Sequence, residues 1–494
     1  MAACAAHDAG AEVLLLEKGK YPGGCSALSG GGIKCVRDAQ EAAAYLGELC
    51  GGRTPNSLIR SFAQGLAENE AFVRLMAQRV GARVQVVPRM HGRPPGVYPF
   101  PGRDTWYEVR IAEVPGFSRF PHIREMTKHG INMFRMAMMN VEARRIEVWS
   151  QASARRLVRE EEAIVGAVVE REGQETRIAA RRAVVLATGG FEHSPWLRTQ
   201  YLQGQPFYSM APLTHTGDGI LMAQKAGAAL WHMGFIKGSY GFKFPDYPIA
   251  FMTPFAAYRS PQRRMPWIVV DRLGRRYMNE YHPAPANTNH WPMETFDPDL
   301  PGYPRIPSYV IFDEAGRRLG PIGKPINFEP FFYNWSPDNS QEIEKGWILR
   351  ADSLDGLAAA IRALPENGGL LDSTALRDTV AVWNKQVETG RDPLGRPPGT
   401  MMQLSSPSFY AATVWPIVIN TEGGPVHNER HQVLDPFGQA IPRLYATGEL
   451  GSFFGHLYEL GGNLAECFIS GRVAGQCAAA ETPLGPQDAP RLVT

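Results

Sequence analysis

The chain has 494 residues, 44% of them hydrophobic and 20% charged, with a formal net charge of +2. That length can bury two or three cores, and the composition excludes a disordered or fibrous protein. The near-neutral balance gives no electrostatic footprint for nucleic acid or an anionic membrane surface, and no apolar run reaches the ~18 residues of a membrane-spanning helix. The six cysteines, Cys4, Cys25, Cys35, Cys50, Cys467 and Cys477, show no metal-type spacing. They read as reduced thiols of a cytoplasmic protein with no metal centre.

In chain order, Val13–Lys18 is the first recognisable element, a buried parallel strand ending in an acid. An acid at such a strand end accepts hydrogen bonds from ribose hydroxyls, which singles out Glu17. The glycine-rich stretch after it gives the backbone close access to a bulky ligand through Gly23, Gly24, Gly30 and Gly31, and Ser26 and Ser29 offer hydroxyls to phosphate or ribityl oxygens. A helix is predicted over Ala39–Cys50. The region 145–190 is strand-rich, and its last run, Ala183–Ala187, ends in Thr188-Gly189-Gly190, bare backbone at the end of a strand. At 214–228, Asp218 and Gly219 precede an amphipathic helix, where Asp218 can cap the helix, meet a ligand, or both. The region 245–410 is rich in proline and aromatic residues and suits a separate lobe built from rigid loops. The last region, 411–480, returns to strands. Ala446-Thr447-Gly448-Glu449 puts glycine and an acid at another strand tip. Gly461-Gly462-Asn463 then opens an apolar helix, whose free amides can face an anion such as the N1–O2 edge of a reduced flavin.

Together these stretches resemble the flavoprotein family of soluble fumarate reductases and 3-ketosteroid dehydrogenases, which is similar to the flavoprotein of succinate dehydrogenase. The likeness runs from about Ala5 to Gln476 and rests on these motifs in combination, with Gly274-Arg275-Arg276-Tyr277-Met278-Asn279-Glu280 among them. It implies an α/β fold in which a Rossmann-like FAD-binding domain is interrupted by an α+β domain that caps the substrate. The expected boundaries are 1–244, 245–410, 411–480 and a tail at 481–494. It also implies FAD held by Glu17, Lys18, Gly23, Gly24, Ser26, Ser29, Gly30, Gly31, Ala154, Ala187, Thr188, Gly189, Asp218, Glu449, Asn463 and Leu464. The family places a strand and a Gly-x-Gly-x-x-Gly loop about 25 residues before Glu17. This chain starts inside the helix that follows, which reads as a misplaced start or a chain cut short. A chain without that loop is expected to bind FAD weakly or not at all.

For the reaction, the resemblance implies hydride exchange between substrate and flavin N5. Fumarate reduction needs cations for two carboxylates, since each buried anion costs several kcal/mol unless paired. At the positions that would supply the proton donor, a substrate arginine and a histidine, this sequence has Ala284, Glu459 and Asn420, so a dicarboxylate substrate is not expected. Tyr458 and Gly462 match the tyrosine hydroxyl and glycine amide with which ketosteroid dehydrogenases hold a ketone, an oxyanion hole for an enolate. For the general base, Tyr281 and His282 are both open; His282 titrates more readily at neutral pH, and Tyr281 keeps to the family chemistry. Tyr98 and Tyr107 are further pocket candidates. The expected substrate is a cyclic or steroid-like ketone or enone, and the expected electron partner a quinone or other carrier. The alternatives are an enoate reductase for a monocarboxylate, clamped by Lys237, Arg259 or Arg263, and a non-catalytic paralogue.

Overall fold

The computed structural model describes residues 1–88, 96–116, 128–254, 263–281 and 288–485. Two compact units divide the chain. The first comprises Met1–Arg198, Ala211–Ile236 and Asn420–Thr494, and the second Thr199–Met210 and Lys237–Ile419.

In the first unit, short parallel pairs fix the strand tips. Leu14–Leu16 runs parallel to Glu147–Trp149, and Val184–Leu186 runs parallel to Leu444–Ala446. Leu14–Leu16 is half-buried rather than buried, because among the described residues it is paired along one edge only. An antiparallel meander of Ala152–Glu160, Ala163–Arg171 and Gln174–Ala179 fills the strand-rich region after 145. Helix Ala39–Cys50 begins where predicted, because the Asp38 side chain accepts from the Gln40 and Glu41 amides. Its apolar face joins Asn56–Arg79 and the start of Gly462–Ala480 in a core containing Tyr45, Leu46, Phe62, Phe453, Phe454 and Tyr458.

The second unit is built on a mixed sheet whose central strand is Phe409–Thr421, with Ile236–Phe242 on one side and Ser308–Asp313 on the other. Helices Leu354–Arg362 and Ser373–Thr389 cover it and bury Leu357, Ile361, Leu376 and Trp383 against Ile268, Tyr309 and Ile311. The sequence Gly274–Glu280 serves this packing. Arg276 makes two hydrogen bonds to Glu280, at 2.7 and 2.8 Å, and two to Asp392, at 2.7 and 2.9 Å. Glu280 also takes the Val269 amide at 2.9 Å and Arg396 at 3.3 Å. Buried charges at this density persist only because each is paired.

Candidate flavin site

Strand tips of the first unit bring distant sequence motifs together. Glu17 follows Leu16 and accepts from the Gly19 amide at 2.5 Å; burial raises its pKa. Lys18 reaches Thr216 Oγ1 at 2.5 Å and Asp218 Oδ2 at 2.7 Å, and Thr216 donates to Asp218 Oδ1 at 2.7 Å. Asp218 is therefore the first residue of its helix, with Gly217 at the N-cap and no side-chain cap. Its carboxylate is spent on Lys18, which rules out the capping role open from sequence. In the glycine stretch, Gly23 and Gly24 start the short helix Gly24–Leu28. Ser29 donates to the Ser26 carbonyl at 2.7 Å and accepts from the Gly31 amide at 3.1 Å. Gly30 faces open space.

The densest chemistry is a buried acid–base chain. Cys25 Sγ lies 3.9 Å from His215 Nδ1, which is 3.2 Å from Glu192 Oε2. The Thr421 amide is shared between Glu192 Oε1 at 3.2 Å and Glu449 Oε1 at 3.1 Å, and Asn420 donates to Glu449 Oε2 at 3.2 Å. Gly190 is the hinge of this arrangement. A Cβ there would overlap Thr421 Oγ1 and sit 2.7 Å from Glu449 Oε1 and 3.0 Å from Glu192 Oε1. Two carboxyl groups this close and this buried cannot both ionise. Burial pushes Glu449 well above the carboxylate range and raises Glu192. Burial opposes charge on His215, but Cys25, Glu449 and Glu17 outweigh it and lift the imidazole to about 9. Cys25, His215 and Glu449 place three metal-ligating atoms within 4.8 Å. Burial raises the pKa of the Cys25 thiol, so a cation binding there would have to displace its proton.

At the other end of the site, Gly461 caps helix Gly462–Ala480 with φ 85° and no side-chain cap. The Asn463 amide donates to the Tyr458 hydroxyl at 3.3 Å, and Asn463 Nδ2 donates to Glu422 Oε1 at 3.4 Å. Burial, with Glu422 nearby, holds the Tyr458 phenol well above its usual pKa, so it stays protonated. The Gly462 amide, expected to face a ketone, donates instead to the Glu459 carbonyl at 2.7 Å, because the turn into the helix closes on itself.

The remaining predicted residues divide by location. Ala154 lies in the strand Ala152–Glu160, half-buried; Ala187 and Thr188 are exposed at the end of Val184–Leu186; Leu464 is buried in the core. Tyr281 is buried in the second unit, its amide bonded to Asn279 Oδ1 at 2.9 Å. His282, Ala284 and Arg259 lie outside the described residues. Lys237 and Arg263 belong to the second unit. Tyr107 turns its hydroxyl to Glu70 at 2.7 Å, whereas Tyr98 is buried against Phe100 with ring centroids 5.6 Å apart. Glu459 does not present its carboxylate as a bare charge; it is fully buried, with the Tyr45 hydroxyl at 2.6 Å, the Val97 amide at 3.1 Å and Lys34 Nζ at 3.4 Å. Glu192 and His215 are the site members that sequence reasoning passed over. Their signal was an acid directly after Gly-Gly-Phe and a histidine directly before Thr-Gly-Asp-Gly.

This set of strand-tip acids, glycine turns and an uncapped helix start suits a dinucleotide whose electron-rich ring meets the helix. Asn463 Oδ1 is buried and has no hydrogen-bond partner among the described residues. It is an acceptor in want of a donor such as a flavin ring N–H, so the residues fit the group. The site and fold define a flavin-dependent oxidoreductase. The chain belongs to the FAD binding domain family, whose pattern matches residues 1–464.

Its relatives include the 3-oxosteroid 1-dehydrogenase of Mycobacterium tuberculosis (strain ATCC 25618 / H37Rv), 26% identical over 96% of this chain and 95% of that protein. The fumarate reductase (cytochrome) of Shewanella frigidimarina is 24% identical over 97% of this chain and 74% of that one. The same fold occurs in the crystal structure of 3-ketosteroid delta1-dehydrogenase from Sterolibacterium denitrificans, with a TM-score of 0.78 and 22% identity over 97% of both chains. The protein is therefore an FAD-dependent dehydrogenase or reductase acting on CH–CH groups. No described helix is long and apolar enough to cross a membrane.

Proposed function

We propose that the enzyme makes or removes a carbon–carbon double bond beside the ketone of a cyclic, steroid-like substrate. The observation that carries this reading is Tyr458, a buried phenol that stays protonated and receives the Asn463 amide on its oxygen. An amide bonded to the oxygen makes the O–H a stronger donor. Aimed at a ketone oxygen, it stabilises the enolate that forms when a proton leaves the neighbouring carbon. When bound, FAD supplies the hydride acceptor or donor. In the oxidative direction the α-carbon loses its proton to a base, proposed as Tyr281 or His282. The β-carbon loses a hydride, the double bond forms between them, and the electron pair passes on to a quinone or other carrier. Because the Gly462 amide is committed to Glu459, Tyr458 with Asn463 behind it carries the ketone grip. The relationship to a 3-oxosteroid 1-dehydrogenase at 26% identity supports the same substrate class.

The test is anaerobic mixing of the FAD-loaded protein with 4-androstene-3,17-dione while flavin absorbance near 450 nm is followed. Bleaching is expected, and Tyr458→Phe should slow it by about 100-fold, the effect of removing one oxyanion donor. Wild-type rates in Tyr458→Phe refute the reading. Turnover of an unsaturated monocarboxylate but of no ketone favours the enoate reductase instead.

A further inference from the structure

Helices Asn56–Arg79 and Gly462–Ala480 meet at Gly65, where a Cβ would lie 2.5 Å from Ile469 Cγ2. Around this contact is a cavity of about 250 Å³ with apolar walls from Leu58, Phe62, Phe453, Ile469 and Val473. Leu58, Phe62 and Gly65 on one helix, and Glu466, Ile469 and Val473 on the other, are three or four residues apart and so share a face. The volume is just under the usual range of small-molecule sites, about 300–1,000 Å³, and leaves room for a compound of one or two rings. The polar group open to it is His431, which lines the cavity and is 8% exposed; its Nδ1 has no hydrogen-bond partner among the described residues. A buried polar atom left so is costly unless a ligand meets it. Burial and the ring of His427, 4.6 Å away between centroids, keep the His431 imidazole neutral.

The charged groups that face the cavity narrow its ligand. Glu68 pairs with Arg472 at 2.9 Å. Glu466 is 2% exposed and takes the Ser452 hydroxyl at 2.8 Å and the Phe453 amide at 2.7 Å; burial, with Glu422 adding to it, raises its pKa well above the carboxylate range. Glu429 is half-buried, and a hydrogen bond with Ser57 lowers its pKa, so it stays ionised. His427 directs its two ring nitrogens to the carbonyls of Asn428 and Gly451, at 3.1 and 3.0 Å. Three acids against one arginine turn away an anion, and an inner end made of a neutral acid and a neutral imidazole offers a cation no counter-charge. An uncharged ring compound with a polar oxygen is what fits. Asn463, matched above to a flavin ring N–H, precedes Glu466 by three residues, about 4.5 Å along the helix axis. The cavity therefore reaches to within a turn of that residue.

We propose that this cavity is the docking site of the electron carrier, a small uncharged quinone whose oxygen bonds to His431 and whose ring lies against Phe62, Phe453 and Ile469. The oxygen accepts a hydrogen bond in the quinone and donates one in the hydroquinone. A neutral imidazole, with one N–H and one bare nitrogen, serves both states. The exchange balances: the substrate loses two electrons and two protons as its double bond forms, the electrons pass through the flavin, and the quinone takes up two electrons and two protons, the protons through water. This deepens the reading above by naming the carrier's class and its site, and it rests on that reading for the need of an outside oxidant.

The test uses the FAD-loaded full chain and tetramethyl-1,4-benzoquinone, which has no free ring carbon for a cysteine thiol to attack. Its Kd for the oxidised protein is read by equilibrium dialysis. Electron uptake is read after reducing the flavin with one equivalent of dithionite, with no ketone present, and following recovery near 450 nm with the quinone and, separately, with ferricyanide, an anion the cavity turns away. The wild type is expected to bind the quinone and to show a rate that saturates with it. Ser61→Trp lays a large side chain over the cavity from an exposed helix position. His431→Asn removes the imidazole at φ 60°, a backbone region that asparagine adopts readily. Each should raise the Kd at least tenfold and lower the ratio of quinone rate to ferricyanide rate at least tenfold. An unchanged Kd or an unchanged ratio in either folded, FAD-loaded variant overturns the proposal; a ratio that holds while binding weakens means that the quinone takes its electrons elsewhere. Wild-type protein that binds no quinone, or whose rate climbs in proportion to it without saturating, overturns it with no variant, which covers substitutions that fail to load FAD. The ketone reading fails separately, if Tyr458→Phe leaves ketone bleaching unchanged, because no ketone enters this test.

Discussion

Adding one methyl group at Gly190 tests the strand-tip cluster most directly. The new Cβ would overlap Thr421 Oγ1 and press on Glu449 Oε1 and Glu192 Oε1 at 2.7 and 3.0 Å. None of the three can give way cheaply. Thr421 is fully buried and its Oγ1 accepts the Phe191 amide at 3.0 Å, while both carboxyl groups accept the Thr421 amide. Overpacking in a closed core costs about 1–3 kcal/mol. Losing the Phe191–Thr421 hydrogen bond adds about 1 kcal/mol. Gly190→Ala should therefore lose roughly 2–4 kcal/mol in urea unfolding and bind FAD more weakly, since Glu449 is displaced. The origin of the loss is checked by a double-mutant cycle. Thr421→Ala removes the overlapping oxygen, so Gly190→Ala made in that background should cost less by at least about 1 kcal/mol. A Gly190→Ala protein with wild-type stability and FAD affinity, or strictly additive effects in the cycle, would refute the geometry drawn around Gly190.

Stability should also fall as pH rises from 6.5 to 9. His215, lifted from 6.5 to about 9, holds in the folded chain a proton that the unfolded chain releases, so its contribution is complete below pH 6.5 and lost through pH 9, at most ~3 kcal/mol. Glu192 and Glu449 are raised as well, and they too weaken folding as pH climbs above the ordinary carboxylate range. Urea midpoints should therefore drop between pH 6.5 and 9, and His215→Asn should flatten the drop; a flat wild-type profile would contradict the buried cluster. Glu280→Ala leaves Arg276 with Asp392 alone and takes the carboxylate away from Arg396 in the core of the second unit, and should cost about 3–5 kcal/mol by urea unfolding; a loss under 1 kcal/mol would contradict the paired network described there. Lys18→Met should cost only about 1 kcal/mol, because the Lys18–Asp218 pair is about one-third exposed. A Lys18→Met cost in the Glu280→Ala range would show that pair to be far more buried than the structure has it.

The sequence by itself determined the elements whose signals are local. The Leu-Leu-Leu-Glu strand end, the helix Ala39–Cys50, the glycine turns and the start of the last helix at Gly461-Gly462-Asn463 each follow from a few neighbouring residues, because strand pattern, helical periodicity and positive φ are short-range requirements. The motifs also sufficed for the flavoprotein family and its cofactor. What only the tertiary structure decided is where each polar group spends its bonds. Asp218 is at the start of a helix in either view, but only the fold shows Lys18, 200 positions away in sequence, taking its charge. Glu459 looks like a repelling anion in sequence, and becomes a neutralised clasp once Lys34 and Tyr45 come from elsewhere in the chain. Glu192 and His215 stand beside glycine motifs in the sequence, but their chemistry exists because two strand tips and the Thr421 amide converge at Gly190. The physical reason is range. Backbone preference is settled within a turn or two of chain, whereas burial and charge pairing depend on which distant segments exclude water together.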